Sequence, residues 1–270
     1  MSSASSKIAA VHLLRRCNGI KTFRRFIESY RARKAGIAHD LVIIFKDFGG
    51  HDRVPYLAAL EGVEHIDFDV DDRGFDIAPY LHVARRTTYE RMCFLNSFSE
   101  FLADDWLAKL DHALMHEPNA GIVGATGSYE RGAPENPFPN YHIRTNGFLI
   151  SRELLLRFEF WEMREKSDVH RFEFGPMGLT QRVMQMGLNP YVVDCDGVAY
   201  AKEDWASSRT FRSGSQEKLL IADNQTNIYA QADAEMREWL SRLAWSQAHP
   251  GPNPQKQRRM SRRLRRWLGL

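Results

Sequence analysis

Apolar residues in the first half of the chain gather in short runs of strand length, separated by stretches with helical spacing. Ile8 to Leu14 (IAAVHLL) and Leu41 to Phe45 (LVIIF) are continuous apolar runs, the pattern of strands buried on both faces. Between them, Phe23, Phe26 and Ile27 fall on one face of a predicted helix from about Ile20 to Lys34, with Arg and Lys on the other. The pattern continues with a short helix around Tyr56 to Leu60, a strand from Val63 to Val70 and a helix from about Ala78 to Arg85. It then gives a strand from Met92 to Leu95, a polar turn from Asn96 to Glu100, an amphipathic helix from Asp104 to Met115 and a strand from Gly121 to Ala125. Strands alternating with helices through short loops predict a doubly wound, mostly parallel sheet with right-handed crossovers.

Beyond this point the pattern loosens. Gly127 to Tyr141 is rich in Gly, Pro and Asn and reads as a loop. His142 to Ile150 reads as a strand, and Ser151 as the N-cap of the next helix. His170 to Gly175 leads into a predicted helix from Met177 to Met186, closed by Gly187. Tyr191 to Val193 is a strand, and Gln216 to Trp245 reads as largely helical. Residues 249–255 form a linker rich in Pro and Gly. In the tail 256–270, Met260, Leu264, Trp267 and Leu268 are spaced i, i+4, i+7, i+8 among arginines. That is an amphipathic basic helix suited to an anionic membrane surface; a disordered tail or a helix against a partner protein fits the same pattern.

The chain has 270 residues, 43% of them hydrophobic, enough for one large α/β domain with a tail. The net charge of +3 is unevenly placed: the tail holds seven Lys or Arg and no acid, so the body carries −4 by difference. A mildly acidic body argues against a nucleic-acid footprint. Cys17, Cys93 and Cys195 are sparse and lack CxxC spacing, which suggests a reducing compartment such as the cytosol. The start MSSASSKIAAVHLLRR reads as a flexible lead into a first strand rather than a signal peptide. No run of ~18 apolar residues suggests a membrane span. The loop after the first strand, Arg15-Arg16-Cys17-Asn18-Gly19, lacks the GxGxxG of a dinucleotide site, and no P-loop occurs.

The loop Arg73-Gly74-Phe75-Asp76-Ile77, followed by Phe94-Leu95-Asn96-Ser97, carries a resemblance to glycosyltransferases of the GT-A fold. The chain is similar to their large inverting family two and to glycosyltransferase-like proteins of bacterial rhamnan-type polysaccharide synthesis, over roughly residues 7–200. The resemblance implies a GT-A-like (Rossmann-like) doubly wound mixed sheet flanked by helices, with a C-terminal helical extension. Residues 1–248 would form the transferase domain: about 7–125 the nucleotide-sugar half, 126–205 the acceptor half, 206–248 the extension. It also implies a nucleotide-sugar donor, a glycan or lipid-linked acceptor, and work in the cytoplasm, with peripheral contact to the inner face of the membrane through 256–270. A non-catalytic GT-A-like binding or scaffold domain is the alternative.

By that resemblance, Arg16, Asn18 and Asp47 would hold base and ribose, and Arg73, Gly74, Asp76, Asn96 and Ser97 would continue the donor site. Arg can neutralise a diphosphate, and Gly lets backbone approach it. Asp76 could equally cap the following helix, and Asp71 and Asp72 read as a solvated loop. In these families a DXD turn binds Mg²⁺ or Mn²⁺ through carboxylates. Here Phe98 stands at the last Asp of that motif, leaving Asn96 and Glu100 as oxygen ligands. Without a metal, Arg73, Arg144 and Lys202 are the basic groups for the diphosphate. Glu173 matches the general base, which takes the proton of the attacking hydroxyl; its Phe neighbours would raise its pKa by desolvation. His142 and His170 are alternative bases. Trp205, Arg209, Arg212, Gln216, Asp223, Asn224 and Gln225 read as a lid over the diphosphate, or as helix surface and cap.

Overall fold

The computed structural model describes residues 7–72, 77–158, 166–248, 250–251 and 253–255. The elements run β1 (Ile8–Arg15), a tight turn (Arg16–Asn18), α1 (Gly19–Ala32), β2 (Asp40–Lys46), α2 (Val54–Ala59), β3 (Ile66–Val70), α3 (Ile77–Arg86) and β4 (Arg91–Leu95). They continue with β5 (Glu100–Phe101), α4 (Trp106–His116), β6 (Ala120–Gly124), β7 (Gly127–Ser128), β8 (His142–Ile143), β9 (Phe148–Ser151), α5 (Arg152–Arg157) and α6 (Lys166–Phe174). The last are α7 (Leu179–Gln185), β10 (Asn189–Val193), β11 (Ala199–Ala201), β12 (Ile221–Ala222), α8 (Asn224–Gln231) and α9 (Ala234–Trp245).

The main sheet has the order β11-β10-β6-β9-β4-β1-β2-β3. β3, β2, β1 and β4 are parallel, and β9 runs antiparallel between β4 and β6. β6 therefore points the same way as β4, and β10 pairs parallel to it. Six strands thus share one carboxyl rim, the place where open α/β sheets bind ligands.

The alternation of side chains splits the core into two layers. Ile8, Ala10 and Leu14 of β1 join Ile43, Phe45, Cys93 and Leu95 under α1, α2 and α4. Ala9, Val11 and Leu13 join Val42, Ile44, Met92 and Phe94 under α3, α5 and α7. Both faces are covered, which is why these strands read as unbroken apolar runs. The edge strand β3 carries Asp67 and Asp69 on a mostly exposed face, a charge pattern that discourages pairing with another chain. No helix among the described residues is long and apolar enough to cross a membrane.

Three predicted elements differ. His142 to Ile150 is two short strands separated by a turn at Thr145 and Asn146. His170 to Glu173 lies inside α6 rather than ahead of a helix. Gln216 to Trp245 is divided, because Asp223 caps α8 and Asp233 caps α9, each through a side-chain oxygen on the first-turn amides. The linker is described only in part, and the tail 256–270 lies outside the described residues.

Candidate functional site

Several of the residues singled out by sequence lie at the carboxyl rim. Arg16, in the turn after β1, reaches across to Asp47, just past β2. Its Nε donates to the Asp47 carbonyl at 2.7 Å and its Nη2 to Oδ2 at 2.9 Å. Asp47 sits at φ 64°, the left-handed region that Asp tolerates better than most residues. Asn18 lies half-buried at the start of α1, and its carbonyl accepts from Thr22 Oγ1 at 2.8 Å.

Beside this pair, Arg15 donates to Asp72 Oδ1 at 3.0 Å. The fully buried Lys46 amine lies 3.5 Å from the same oxygen and 3.4 Å from the Asp71 carbonyl. Asp72 thus faces two cations while staying exposed to solvent, as a solvated loop residue would. Lys46 was not among the sequence candidates. Its signal was a lysine ending an apolar strand, LVIIFK. Arg73, Gly74 and Asp76, which follow, lie outside the described residues.

The turn after β4 is tied down from both sides. Asn96 Oδ1 accepts from the Phe98 amide at 2.8 Å and lies 3.4 Å from Ser99 Oγ. Ser97 is buried, and its hydroxyl donates to the Leu13 carbonyl at 2.7 Å. Ser99 Oγ also donates to the Asn146 carbonyl at 2.5 Å. The buried Asn146 accepts from Thr126 Oγ1 through Oδ1 at 2.5 Å, and donates through Nδ2 to the Ile221 carbonyl at 2.8 Å. One residue thus joins the segments after β4, after β6, before β9 and in β12. Sequence reading missed this hub, since Thr126, Asn146 and Ile221 have no local pattern in common.

Next to Asn146, Thr145 donates its hydroxyl to Glu173 Oε1 at 2.8 Å. Glu173 occupies the last turn of α6, half-buried. Its Phe neighbours do not face it together: Phe172 points into the core, and Phe174 stacks edge-on against His142 at 4.5 Å. Residues one apart on a helix look in different directions, so sequence adjacency was no measure of desolvation here. Arg171 lies 3.9 Å from Asp168. His142 is fully buried, its Nδ1 2.9 Å from the Asn140 carbonyl, and burial pulls its pKa down to about 4. A group so enclosed has no route to an acceptor hydroxyl. Nothing of the His170 side chain is described.

The predicted lid is built into the fold. Trp205 is fully buried and donates to the Tyr200 carbonyl at 3.1 Å. A Cβ on Gly127 would stand 2.5 Å from its ring, so only glycine fits there. Gln216 is buried, accepting from the Arg212 amide and donating to the Thr226 carbonyl, both at 3.0 Å. Arg209 pairs with Glu217 at 2.7 Å, and Lys202 with Glu203 at 2.5 Å. Asn224 is exposed at the start of α8.

The divalent cation that the resemblance implies does not fit this donor set. Phe98 is apolar, Asn96 Oδ1 already accepts from the Phe98 amide, and Glu100 sits in β5, paired with β12. Among the described residues, no three His, Cys, Asp or Glu are grouped to hold a metal.

No protein-family model matches the chain, and no curated protein matches its sequence. Solved structures do. A mannosyltransferase from Pyrobaculum calidifontis, in complex with GDP-Man and Mn²⁺, matches with a TM-score of 0.51 at 14% identity, over 77% of this chain and 61% of that one. A 4-diphosphocytidyl-2C-methyl-D-erythritol synthase from Anaerococcus prevotii matches at 0.41 and 14% identity, over 61% and 82%. A glucosyl-3-phosphoglycerate synthase from Mycobacterium tuberculosis, in complex with UDP, matches at 0.40 and 16% identity, over 57% and 60%. The chain spans about three fifths of the mannosyltransferase's length and shares its GT-A fold, a mixed α/β sheet of eight strands flanked by helices.

Proposed function

We propose that the chain is a glycosyltransferase that moves a sugar from a nucleotide-sugar donor to a glycan or lipid-linked acceptor, with inversion, in cell-envelope polysaccharide synthesis. One observation carries this reading. The turn after β4 is tethered through Ser99 and Asn146 to the segment whose Thr145 holds Glu173, so a carboxylate on α6 is fixed to the same rim as Arg16 and Asp47. The donor's base and ribose would lie over Arg16, Asn18 and Asp47, where a carboxylate accepts from their donors. Its diphosphate would run past Asn96. The acceptor hydroxyl would attack the anomeric carbon from the α6 side. A carbon–oxygen bond forms to the acceptor as the bond to the diphosphate breaks, and the hydroxyl proton passes to Glu173. The 256–270 tail would bring the domain to an anionic membrane carrying the acceptor.

The non-catalytic reading draws on the same turn, whose amide oxygen is already engaged and whose carboxylate, Glu100, is paired into β5. Thermal shift with UDP, GDP and dTDP, with and without Mn²⁺, separates the two. Stabilisation by one of them, together with sugar-donor hydrolysis or transfer that falls ~10²–10⁴-fold in Glu173→Gln, supports the transferase. Wild-type turnover in that variant removes Glu173 as base, and silence with all three nucleotides leaves the scaffold reading.

A further inference from the structure

The misfit between this site and a divalent cation has a counterpart nearby, a pair of buried arginines sharing one aromatic ring. Arg144 leaves the chain directly before Thr145, and its backbone amide donates to the Thr126 carbonyl at 3.0 Å, at the carboxyl end of β6. Its guanidinium carbon lies 4.1 Å from the Phe211 ring centre; that of Arg212 lies 4.8 Å from the same centre. The two side chains are 16% and 6% exposed.

Two structural ion pairs would be the plain explanation, and the geometry does not suit it. Arg144 meets Asp223 by one contact at 3.2 Å, and Arg212 meets Glu130 by one contact at 3.4 Å. Charge-assisted hydrogen bonds run shorter, at about 2.7–2.9 Å, and a guanidinium kept for a carboxylate uses its two-pronged fork. Asp223 has its other oxygen committed to the Gln225 and Thr226 amides. Arg212 Nη2 also donates to Gln225 Oε1 at 3.1 Å, but Arg144 Nη1 and Arg212 Nε are buried and find no partner among the described residues. Buried N–H groups of charged side chains are nearly always bonded, so two orphans in one cluster point to a ligand that supplies the missing acceptors. Arg212 is further held at φ 44° with its amide bound to Gln216, an outlying backbone conformation kept by the surroundings.

We infer that Arg144 and Arg212, spaced by Phe211, bind the diphosphate of the donor and supply the positive charge that a metal ion supplies in transferases with a DXD turn. The inference rests on the donor reading above for the identity of the ligand, while the anion site stands on its own geometry. Two guanidinium forks offer planar, always-charged donors matched to phosphate oxygens. They would stabilise the charge that builds on the leaving diphosphate, as fixed cations do at other phosphoryl groups.

The test is calorimetry on the full chain in EDTA, with inorganic pyrophosphate as one probe and UDP and GDP as others, repeated with Mn²⁺. The variants are Arg144→Gln and Arg212→Gln, with Arg144→Lys and Arg212→Lys as versions that keep the buried charge should either Gln form fail to fold. The expected result is binding in EDTA, little changed by Mn²⁺, and weakened about tenfold or more by each Gln variant, as befits loss of a charged hydrogen-bond donor. The Lys variants lose less, because charge stays and only the fork goes. Binding of pyrophosphate but of no nucleotide would leave the arginine site and remove the donor reading. Nucleotide binding that needs Mn²⁺ and ignores both arginines would keep the donor reading and overturn this inference. Pyrophosphate affinity equal in all variants, or no binding of any probe, overturns it as well.

Discussion

Asn146 is the residue through which the rim of the sheet is held together, and Asn146→Ala measures that role. The substitution removes both side-chain bonds of the amide, stranding the Thr126 hydroxyl and the Ile221 carbonyl, two residues with no exposed surface. The Ser99 bond goes to the Asn146 main chain and survives. A buried polar group left without a partner costs about 1–3 kcal/mol, so two give ~2–6 kcal/mol, and ~4 kcal/mol is the central expectation. Urea unfolding followed by circular dichroism reads this as a lower midpoint at unchanged slope. A double-mutant cycle sharpens it. Thr126→Val alone strands Asn146 Oδ1, whereas in the Asn146→Ala background it removes an orphan instead. The two single costs should therefore exceed the double by ~1–2 kcal/mol. A loss under ~1 kcal/mol for Asn146→Ala, or a strictly additive double variant, would show that the amide is not the hub described.

Asp47→Asn should leave the fold intact, since Asn also accepts a positive φ, and weaken nucleotide affinity by about tenfold in the same calorimetry; equal affinity would take Asp47 out of the donor site. Thr145→Val should lower turnover while leaving nucleotide affinity unchanged, because it frees Glu173 from its orienting bond; a loss of affinity with normal turnover would contradict that role. Gly127→Val should destabilise by about 1–3 kcal/mol or more in urea, its side chain meeting Trp205, and a neutral result would place the ring elsewhere. His12 is stacked on Phe26 at 3.5 Å with both ring nitrogens unpartnered, and burial lowers its pKa from 6.5 to about 3. Below pH 6.5 the unfolded chain takes up a proton that the folded chain refuses, so this contribution is complete above that pH and falls by ~1.4 kcal/mol per unit down to about pH 3. His12→Leu should therefore flatten stability against pH between 6.5 and 4.5 without loss at pH 7.5, and an unchanged acid slope would refute the burial.

The strands were legible because both faces of the sheet are covered: IAAVHLL, LVIIF and MCFL are apolar at every position for that reason, His12 included, since its ring lies flat on Phe26. Helix ends were legible where a cap works locally, as at Ser151, which accepts from the Leu154 amide. The same signal at Asp223 and Asp233 marks the breaks between Gln216 and Trp245, and helical composition alone concealed it. The HIRTNGFLI segment misled because its apolar ends belong to two strands in different sheets. Thr145 and Asn146 turn the chain between them, and Gly147 lets it pass Ile221, where a Cβ would come to 2.7 Å. What stayed invisible is contact at long separation. Arg144 and Phe211 stand 67 positions apart, Asn146 and Ile221 75 apart, and no periodicity links them.

The locked turn and the arginine pair form one electrostatic arrangement. Two guanidinium groups carry the formal charge of one divalent cation, but here they are fixed on the protein's own side chains. Their carboxylate partners, Asp223 and Glu130, balance that charge by single long contacts. A diphosphate would compete with those contacts rather than with bulk water, and burial strengthens every bond it gains. Burial lowers the Arg212 pKa to about 10, with Glu130 and Asp223 opposing and Arg144 adding to the shift, so the group stays charged at neutral pH. The pair sits in a firmly bonded frame: Gln216 accepts from the Arg212 amide, the α8 cap holds Asp223, and Asn146, two residues past Arg144, is bonded to Ile221.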